Sequence, residues 1–252
     1  MAISITEVNL DNVAQEGLFC VKNVKAPGYS AKLKWFRERV ADGLKLKILK
    51  EDDQPLGFIE YVPAEKAWRP VVAPGFLFIH CIVIYSKDKR ERNLGSLLIQ
   101  DCLNDAKQNR KKGVSVMSSK GSWIADKRIF IKNDFSLIEE KGRFELLEFK
   151  LDKRAPSAQL IDWERNLTRY SGWHLIYADQ CPWHAKAVEE LYKTSLDFDI
   201  DLKITQLKRP EDIQRSPSGY GVFGLVNDRK LLEDHYISAT RFKNILKKEL
   251  VS

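Results

Sequence analysis

A short segment in the middle of the chain combines the residue types that hold a phosphate-bearing ligand. Residues 78–84 are apolar apart from His80 and Cys81 and predict a buried strand. A turn rich in cations follows, and from Leu94 an apolar stripe with helical spacing predicts an amphipathic helix. The first N–H groups of such a helix have no partner inside it, and the helix dipole adds positive potential. A pyrophosphate can therefore sit on the start of this helix.

Two residues of the turn suit a close approach of the main chain to a phosphate. Gly95 has no side chain to block the approach, and Asn93 tolerates the left-handed conformation almost as well as glycine. The densest basic clusters, 87–92 and 107–112, flank the predicted helix. We interpret them as neighbours of a phosphate-bearing cofactor.

Acid–base residues lie on the two strands predicted before this turn. Glu60 and Tyr61 are consecutive on a strand, so only one of them faces the presumed cleft. A carboxylate at Glu60 could accept a proton from an ammonium group through water, and the alternative is a solvated strand carboxylate. Cys81 is a candidate nucleophile or proton donor and His80 a candidate proton relay. A buried thiol and a hydrogen-bonded core imidazole are the other interpretations.

A further thiol stands at a predicted strand-to-helix junction, in the sequence Cys181-Pro182-Trp183-His184. A helix N-terminus lowers the pKa of a thiol and favours the thiolate. Reversible dithiol chemistry needs a second cysteine, which this motif lacks. Cys181 could still form mixed disulfides, bind a thiol-bearing acceptor or accept an acyl group, with His184 stabilising the thiolate. The alternative is a residue used for binding or packing.

These residues need strands and helices that alternate along the chain. The first part has predicted strands at 44–49, 56–62, 76–84, 114–118 and 143–151, and predicted helices at 31–43, 94–110 and 125–132. A polar, proline-containing stretch at 152–158 suggests a linker, after which the order βαβαββα begins, with Ser238 as the N-cap of the last helix. We therefore predict a first domain over 1–152, a linker over 153–170 and a small second domain over 171–252.

Composition restricts the compartment and the partners. The chain has 252 residues, and no stretch approaches the roughly 20 apolar residues of a membrane span. The N-terminus lacks a secretory pattern, so we expect a cytoplasmic protein with no membrane partner. The net charge is +7, but no recognition motif accompanies it, and nucleic acid is not an expected partner. Four widely spaced cysteines are expected to be reduced thiols, and no cluster has the spacing of a metal site.

The turn resembles the signature of the GNAT acetyltransferase superfamily. That signature has Arg or Gln, then Gly three residues on, then Gly or Ala two further; Arg90 and Gly95 match it, and Asn93 replaces the middle glycine. Asp134-Phe135 stands where the superfamily has Gly-Phe. Further stretches of the chain resemble the YoaP-like group of GNAT proteins, namely 58–65, 73–75, 118–120, 144–147, 177–182, 220–226 and 242–246.

This resemblance implies an α/β (α+β) fold class. The first domain would have the GNAT acyl-CoA N-acyltransferase fold with a mixed, largely antiparallel sheet, and the second would be a small thioredoxin-like domain. The implied cofactor is acetyl-CoA, with CoA as the product. The pantetheine arm would be held by main-chain groups of Ile82, Val83 and Ile84. The diphosphate would be held by the turn and helix start, through Arg90, Arg92, Asn93, Leu94, Gly95 and Ser96.

The implied reaction moves an acetyl group to an unidentified amine by direct attack. The acceptor would be a small molecule or a peptide, and a thiol could tether it to the protein. Many family members place a tyrosine four residues before the Gly of Gly-Phe to assist the leaving thiolate, and this position is Phe130 here. The catalytic candidates are therefore Glu60, Cys81 and Cys181. A rival hypothesis is a CoA-binding or thiol-sensing module without acetyl transfer, in which Cys181 reports thiol status.

Overall fold

The computed structural model describes residues 2–85, 92–121 and 123–250. The chain forms two compact units, and neither is continuous in sequence. The first unit consists of Met1–Lys22, Phe36–Ala67 and Val71–Leu160. The second consists of Asn23–Trp35, Trp68–Pro70 and Ile161–Ser252. The domain boundaries at 152 and 170 stay a prediction from the sequence.

The first unit is built on a seven-stranded sheet with the strand order β1-β2-β3-β5-β6-β8-β7. Its strands are β1 Ile3–Val8, β2 Lys45–Glu51, β3 Gln54–Pro63, β5 Phe76–Ile84, β6 Gly113–Ser119, β7 Ser136–Lys141 and β8 Phe144–Lys150. β5 and β6 are parallel, whereas the other neighbours are antiparallel. A two-stranded sheet pairs β4 Val71–Val72 with β9 Gln159–Leu160.

The helix that follows the turn covers one face of the large sheet. The helices are α1 Val13–Glu16, α2 Pro27–Val40, α3 Leu94–Gln108 and α4 Arg128–Ile131, and residues of α2 up to Trp35 belong to the second unit. Leu98, Ile99 and Cys102 of α3 are fully buried against β5 residues such as Ile79 and Ile82. Burial of this apolar stripe, rather than helix propensity alone, stabilises α3.

The second unit has a four-stranded sheet with the strand order β11-β10-β12-β13. Its elements are β10 Trp173–Tyr177, α5 Trp183–Asp197, β11 Leu202–Gln206, α6 Pro210–Ile213, β12 Phe223–Asn227, β13 Lys230–Glu233 and α7 Ala239–Glu249. β10 runs parallel to β11 and antiparallel to β12, which is antiparallel to β13. The predicted N-cap of α7 is confirmed, because the Ser238 hydroxyl accepts a hydrogen bond from the Arg241 N–H at 3.3 Å.

The structure confirms the predicted α/β class, with a mixed and largely antiparallel sheet followed by a small α/β unit. Strands β1 and β7 were not predicted, since both are edge strands whose formation depends on pairing with β2 and β8. The predicted helix 125–132 is shorter, at Arg128–Ile131, because the Asp126 carboxylate accepts the Arg128 N–H at 2.8 Å and forms a turn first.

Candidate functional site

The two parallel strands at the centre of the large sheet diverge. β5 and β6 share four residue pairs, from Phe76 with Gly113 to Ile79 with Val116. Beyond these pairs β5 continues along β3 to Ile84, and β6 continues along β8. No strand of the described ranges fills the gap between them. Alternate main-chain groups of the last part of β5, the predicted pantetheine strand with Ile82, Val83 and Ile84, therefore point into the gap.

The start of α3 has the main-chain geometry that the sequence predicted. Asn93 is the N-cap residue and has a left-handed φ of 58°. Its side chain does not cap the helix but accepts a hydrogen bond from Lys132 Nζ at 2.6 Å. The N–H groups of Leu94, Gly95 and Ser96 have no acceptor within the helix because they lie in its first turn, and the Asn93 side chain does not provide one. Lys132, which the sequence did not single out, adds a cation at this helix start.

Gly95 packs closely against Ile129 of α4. A Cβ at this position would lie 2.4 Å from Cδ1 of Ile129. Gly95 is itself buried. The missing side chain therefore makes room for packing against Ile129 inside the unit, and the approach of a phosphate to Gly95 stays a prediction.

Of the two arginines predicted to hold the diphosphate, the structure describes one. Arg90 lies outside the described residues. Arg92 donates a hydrogen bond from Nη2 to the Glu51 carboxylate at 2.5 Å. The charge of Arg92 is thus already engaged by a carboxylate of β2, so a diphosphate would compete with Glu51 for this side chain. Main-chain N–H groups and Lys132 are the better-placed partners.

A β-bulge brings two sequence-predicted residues together opposite a third. Glu60 pairs with Cys81 and Tyr61 pairs with Ile79, so His80 is the extra residue of β5. The Glu60 carboxylate lies 3.3 Å from Nδ1 of His80, and both side chains are buried. Tyr61 points to the opposite face, where its hydroxyl hydrogen-bonds to a carboxylate of α3 at 2.5 Å. Glu60, rather than Tyr61, therefore shares a face with His80.

The same face carries a thiol and a phenol. Cys81 is half-buried and lies directly opposite Glu60, so their side chains are neighbours. Tyr85 follows β5, and its hydroxyl donates a hydrogen bond to the Phe19 carbonyl at 2.7 Å. Phe19 has a φ of 50°, which is rare for a bulky residue. Glu60, His80, Cys81 and Tyr85 are called the Glu60 face below.

The position expected to hold a tyrosine in the GNAT family offers no proton donor. Phe130 is fully buried and its ring lies 5.6 Å from that of Phe135. Ser118, at the end of β6, donates a hydrogen bond to Glu145 at 3.1 Å, and Lys127 donates to the same carboxylate at 2.7 Å. Burial by itself would raise the pKa of Glu145, but these two hydrogen bonds lower it below its usual value. The Ser118 hydroxyl is therefore committed to a carboxylate.

Cys181 lies immediately before α5, in the second unit. The residue is half-buried. Burial raises the pKa of this thiol above its ordinary value, although the main-chain N–H of Trp183 and the charges of Lys32 and Arg69 oppose the rise. The sequence predicted the opposite direction, because it considered the helix N-terminus without the loss of solvent.

His184 cannot stabilise a thiolate as a cation. Its ring is fully buried, and Nδ1 lies 2.8 Å from the Ala178 carbonyl, to which it donates when the imidazole is neutral. Burial, the largest cause, and the charges of Arg69 and Lys32 lower the pKa of His184 to about 4. The imidazole is therefore neutral at pH 7, and its Nε2 has no hydrogen-bond partner within the described ranges.

Sequence reasoning missed the cations around Cys181. Lys32 and Arg69 are nearly inaccessible, with 1% and 3% exposure. The buried stripe of α2 runs through Gly28, Lys32, Trp35 and Phe36, whereas the sequence predicted Leu33, Phe36 and Val40. The one local indication that Lys32 is buried was its spacing, four residues before Phe36 on the same helix face. Arg69 lies in a short segment between Trp68 and Pro70, where no sequence pattern indicated a buried cation.

No group of three or more His, Cys, Asp or Glu residues in the described ranges is arranged to hold a metal ion. Among the helices described, none combines the length and apolar character needed to cross a bilayer. All four cysteines are unbridged.

The chain is similar to acetyltransferases. It is 26% identical over 246 residues to a Bacillus subtilis (strain 168) protein described as the uncharacterized N-acetyltransferase YoaP, and the match covers 95% of this chain and 97% of that protein. The similarity to this protein therefore extends through both units. No protein-family profile matches the chain.

Solved structures also resemble part of the chain. A GNAT-family acetyltransferase from Staphylococcus aureus Mu50 is 14% identical with a TM-score of 0.44, covering 60% of this chain and 99% of its own. The PaiA N-acetyltransferase from Thermoplasma acidophilum, in complex with coenzyme A, is 14% identical with a TM-score of 0.42, covering 60% of this chain and 99% of its own.

Proposed function

We propose that this protein is a GNAT-type N-acetyltransferase of the YoaP-like group. It moves an acetyl group from acetyl-CoA to an amine and releases CoA. The divergence of β5 and β6 beside the start of α3 carries this proposal, because it combines an open main-chain edge with an anion-attracting helix start. The similarity to YoaP over 95% of the chain supports it.

The residues of the first unit fit the proposed cofactor. Main-chain groups of Ile82, Val83 and Ile84 on the open edge of β5 would hold the pantetheine arm. The N–H groups of Leu94, Gly95 and Ser96 would hold the diphosphate, together with main-chain groups of the turn before them and the ammonium of Lys132. The turn is short of free cationic side chains among the described residues, because Arg92 is engaged by Glu51.

Acetyl-CoA would supply the activated acetyl group, and the Glu60 face would handle the protons. An amine reacts only when neutral, so a group of the protein must accept a proton from the ammonium. Glu60 and His80, 3.3 Å apart and buried, can share that proton. The half-buried thiol of Cys81, opposite Glu60, is the candidate donor to the leaving thiolate, since Phe130 has no hydroxyl.

We infer that the second unit is a thioredoxin-like domain. Its strand order β11-β10-β12-β13, with one parallel pair at β10 and β11 and antiparallel pairs elsewhere, supports this assignment. The rival function is a thiol-sensing module without acetyl transfer. It is favoured by one observation, which is that the buried cations Lys32 and Arg69 both contact Gln180, the residue before Cys181. We also expect the enzyme to be cytoplasmic and to act on a small-molecule or peptide amine.

Calorimetric titration of acetyl-CoA and CoA into the whole chain tests the cofactor site. The variant Ser96→Glu introduces a carboxylate at the first turn of α3, and Ser96→Gln is the matched neutral control. Repulsion of the diphosphate by one added charge at this helix start would weaken binding by roughly tenfold in Ser96→Glu. The Ser96→Gln variant should bind much as the wild type does.

Two results would contradict the proposal. Failure of the folded wild-type chain to bind acetyl-CoA would remove the cofactor assignment altogether. Equal affinities of Ser96→Glu and Ser96→Gln would remove the start of α3 from the site. If binding is as expected, release of CoA in the presence of a panel of small and peptide amines would identify the acceptor class.

A further inference from the structure

A single carboxylate ties α3 to the strands β2 and β3. One oxygen of Asp105 accepts hydrogen bonds from the Tyr61 hydroxyl at 2.5 Å and from Lys45 Nζ at 2.7 Å. Lys47 Nζ lies 3.2 Å from the same oxygen. Tyr61 and Lys45 stand directly opposite each other on β3 and β2, so their side chains reach Asp105 from the same face. The Tyr61 side chain is therefore held at its tip as well as at its main chain.

The charge states of the two oxygen-bearing groups suit this contact. Tyr61 is 1% exposed, and burial, the largest cause, raises the pKa of its hydroxyl above the ordinary value. Burial by itself would also raise the pKa of Asp105, but the hydrogen bonds from Lys45 and Tyr61 and the charge of Lys47 lower it. At neutral pH Tyr61 is therefore a phenol that donates, and Asp105 is a carboxylate that accepts.

The held residue follows Glu60 at the point where the strand pairing is irregular. The β-bulge of β5 shifts the register between β3 and β5 from Glu60 to Tyr61. At a bulge the ladder of main-chain hydrogen bonds is locally disrupted, so it holds the strand less firmly there. Side-chain contacts consequently contribute more to the orientation of β3 at Glu60 than they do in a regular sheet.

Glu60 and Tyr61 project from opposite faces of β3. Tyr61 belongs to the apolar core with Ile79, whereas the Glu60 carboxylate lies 3.3 Å from His80 on the other face. A rotation of β3 about its own axis would move both side chains at once. Because Asp105 holds the Tyr61 hydroxyl, it opposes that rotation, and the contact on one face stabilises the arrangement on the other.

We propose that Tyr61 is a positioning residue for the proton acceptor. Its hydrogen bond to Asp105 keeps the Glu60 carboxylate against His80, and it acts from the opposite face of the sheet. The inference rests on the proposed function, in which Glu60 and His80 share the proton of the amine. The contact between Glu60 and His80 is nevertheless measurable without any acetyl transfer.

The first experiment observes the His80 ring by NMR in the whole chain, with isotope-labelled histidine. The chain has four histidines, and His80→Gln identifies the signals of this one. Glu60→Gln defines the change in the His80 Nδ1 shift that loss of the carboxylate causes. Tyr61→Phe, which loses only the hydroxyl, should move the same signal in the same direction.

The matched control for this experiment is Asp101→Asn. Asp101 lies one turn before Asp105 on α3 and pairs with Lys47 at 2.6 Å. The substitution breaks a similar ion pair between α3 and β2 but leaves the hydrogen bond from Tyr61 to Asp105 in place. The His80 signals should therefore stay where they are in the wild type.

Kinetics with the amine found by screening test the consequence for the reaction. Tyr61→Phe should lower kcat by about ten- to a hundredfold, because a displacement of about 1 Å at a reacting group has an effect on this scale. Asp105→Asn should act in the same direction, and the affinity for acetyl-CoA should stay near that of the wild type. The loss should shrink as the pH approaches the pKa of the amine, since a neutral amine needs no proton acceptor.

A double variant separates positioning from a general loosening of the fold. In the Glu60→Gln background, Tyr61→Phe should change kcat by less than about twofold, because the carboxylate that it positions is already gone. Two losses in kcat that simply multiply would overturn the proposal. So would a folded Tyr61→Phe variant, checked by circular dichroism, whose His80 signals match those of the wild type.

Failure of the proposed function would look different. If no amine releases CoA from acetyl-CoA, acetyl transfer is contradicted. The NMR comparison would still decide whether Tyr61 holds Glu60 against His80.

Discussion

The Glu60 carboxylate lies 3.3 Å from Nδ1 of the His80 imidazole, and a β-bulge brings the two together. At the bulge His80 and Cys81 both stand opposite Glu60, whereas a regular strand would direct two consecutive side chains to opposite faces. One buried carboxylate therefore has an imidazole and a thiol as neighbours. The strand edge next to this group is the one that diverges from β6.

Replacing the carboxylate tests its proposed role as proton acceptor. Glu60→Gln should lower kcat by about 10²- to 10⁴-fold, because general base catalysis contributes on this scale. The affinity for acetyl-CoA should stay near that of the wild type, since Glu60 is not among the groups proposed to hold the cofactor. Steady-state kinetics with the amine found by screening and calorimetry with acetyl-CoA provide the two measurements.

The control for this substitution is Glu140→Gln, which removes an exposed carboxylate from edge strand β7. It should leave both kcat and the affinity for acetyl-CoA unchanged. A folded Glu60→Gln variant with wild-type kcat would exclude Glu60 as the proton acceptor. His80 would then have to act without it.

Packing around Gly95 makes a prediction about stability. In Gly95→Ala the new Cβ would lie 2.4 Å from Ile129 Cδ1, so we expect the free energy of unfolding to fall by about 1 kcal/mol despite the better helix propensity of alanine. Urea unfolding followed by tryptophan fluorescence measures the change.

Ile129→Val should relieve the clash in Gly95→Ala, because valine lacks the Cδ1 atom that the new Cβ would meet. The double variant should be more stable than the sum of the single changes predicts, by roughly 0.5 kcal/mol or more. Strict additivity of the two substitutions would show that Ile129 simply rotates away. Gly95 would then be free to change.

The buried imidazole of His184 makes the stability of the second unit depend on pH. Its folded pKa is about 4, and an unfolded histidine has a pKa of about 6.5. Between these values the unfolded chain binds a proton that the folded chain does not. The contribution of His184 to the free energy of unfolding should therefore be fully present well above pH 6.5 and be lost as the pH drops to 4, by up to about 3 kcal/mol.

Urea unfolding at pH 7, 5.5 and 4.5 measures this slope, and the non-titrating variant His184→Leu is the comparison. The difference in unfolding free energy between wild type and variant should shrink as the pH falls. The same slope in both proteins would contradict the prediction and assign the pH dependence to other groups. In that case NMR titration of the His184 ring should give a pKa near 6.5 in the folded protein.

Local sequence determined the elements that hold the proposed cofactor. The apolar run of β5, the stripe of Leu98, Cys102 and Leu103, and the left-handed Asn93 are set by neighbouring residues, so their prediction did not require the fold. Leu97, which the same pattern placed in the stripe, is exposed. The same holds for the Ser238 cap. Periodicity and turn chemistry act over a few residues, which is the range that a sequence pattern covers.

Tertiary structure decided which side chains meet. Whether Glu60 or Tyr61 faces His80 depended on a bulge, and no periodic pattern contains a bulge position. The cations near Cys181 come from Lys32 and Arg69, more than a hundred residues earlier in the chain. Burial also reversed the expected direction of the Cys181 pKa. Desolvation depends on everything packed around a group, so it is fixed only when the whole chain has folded.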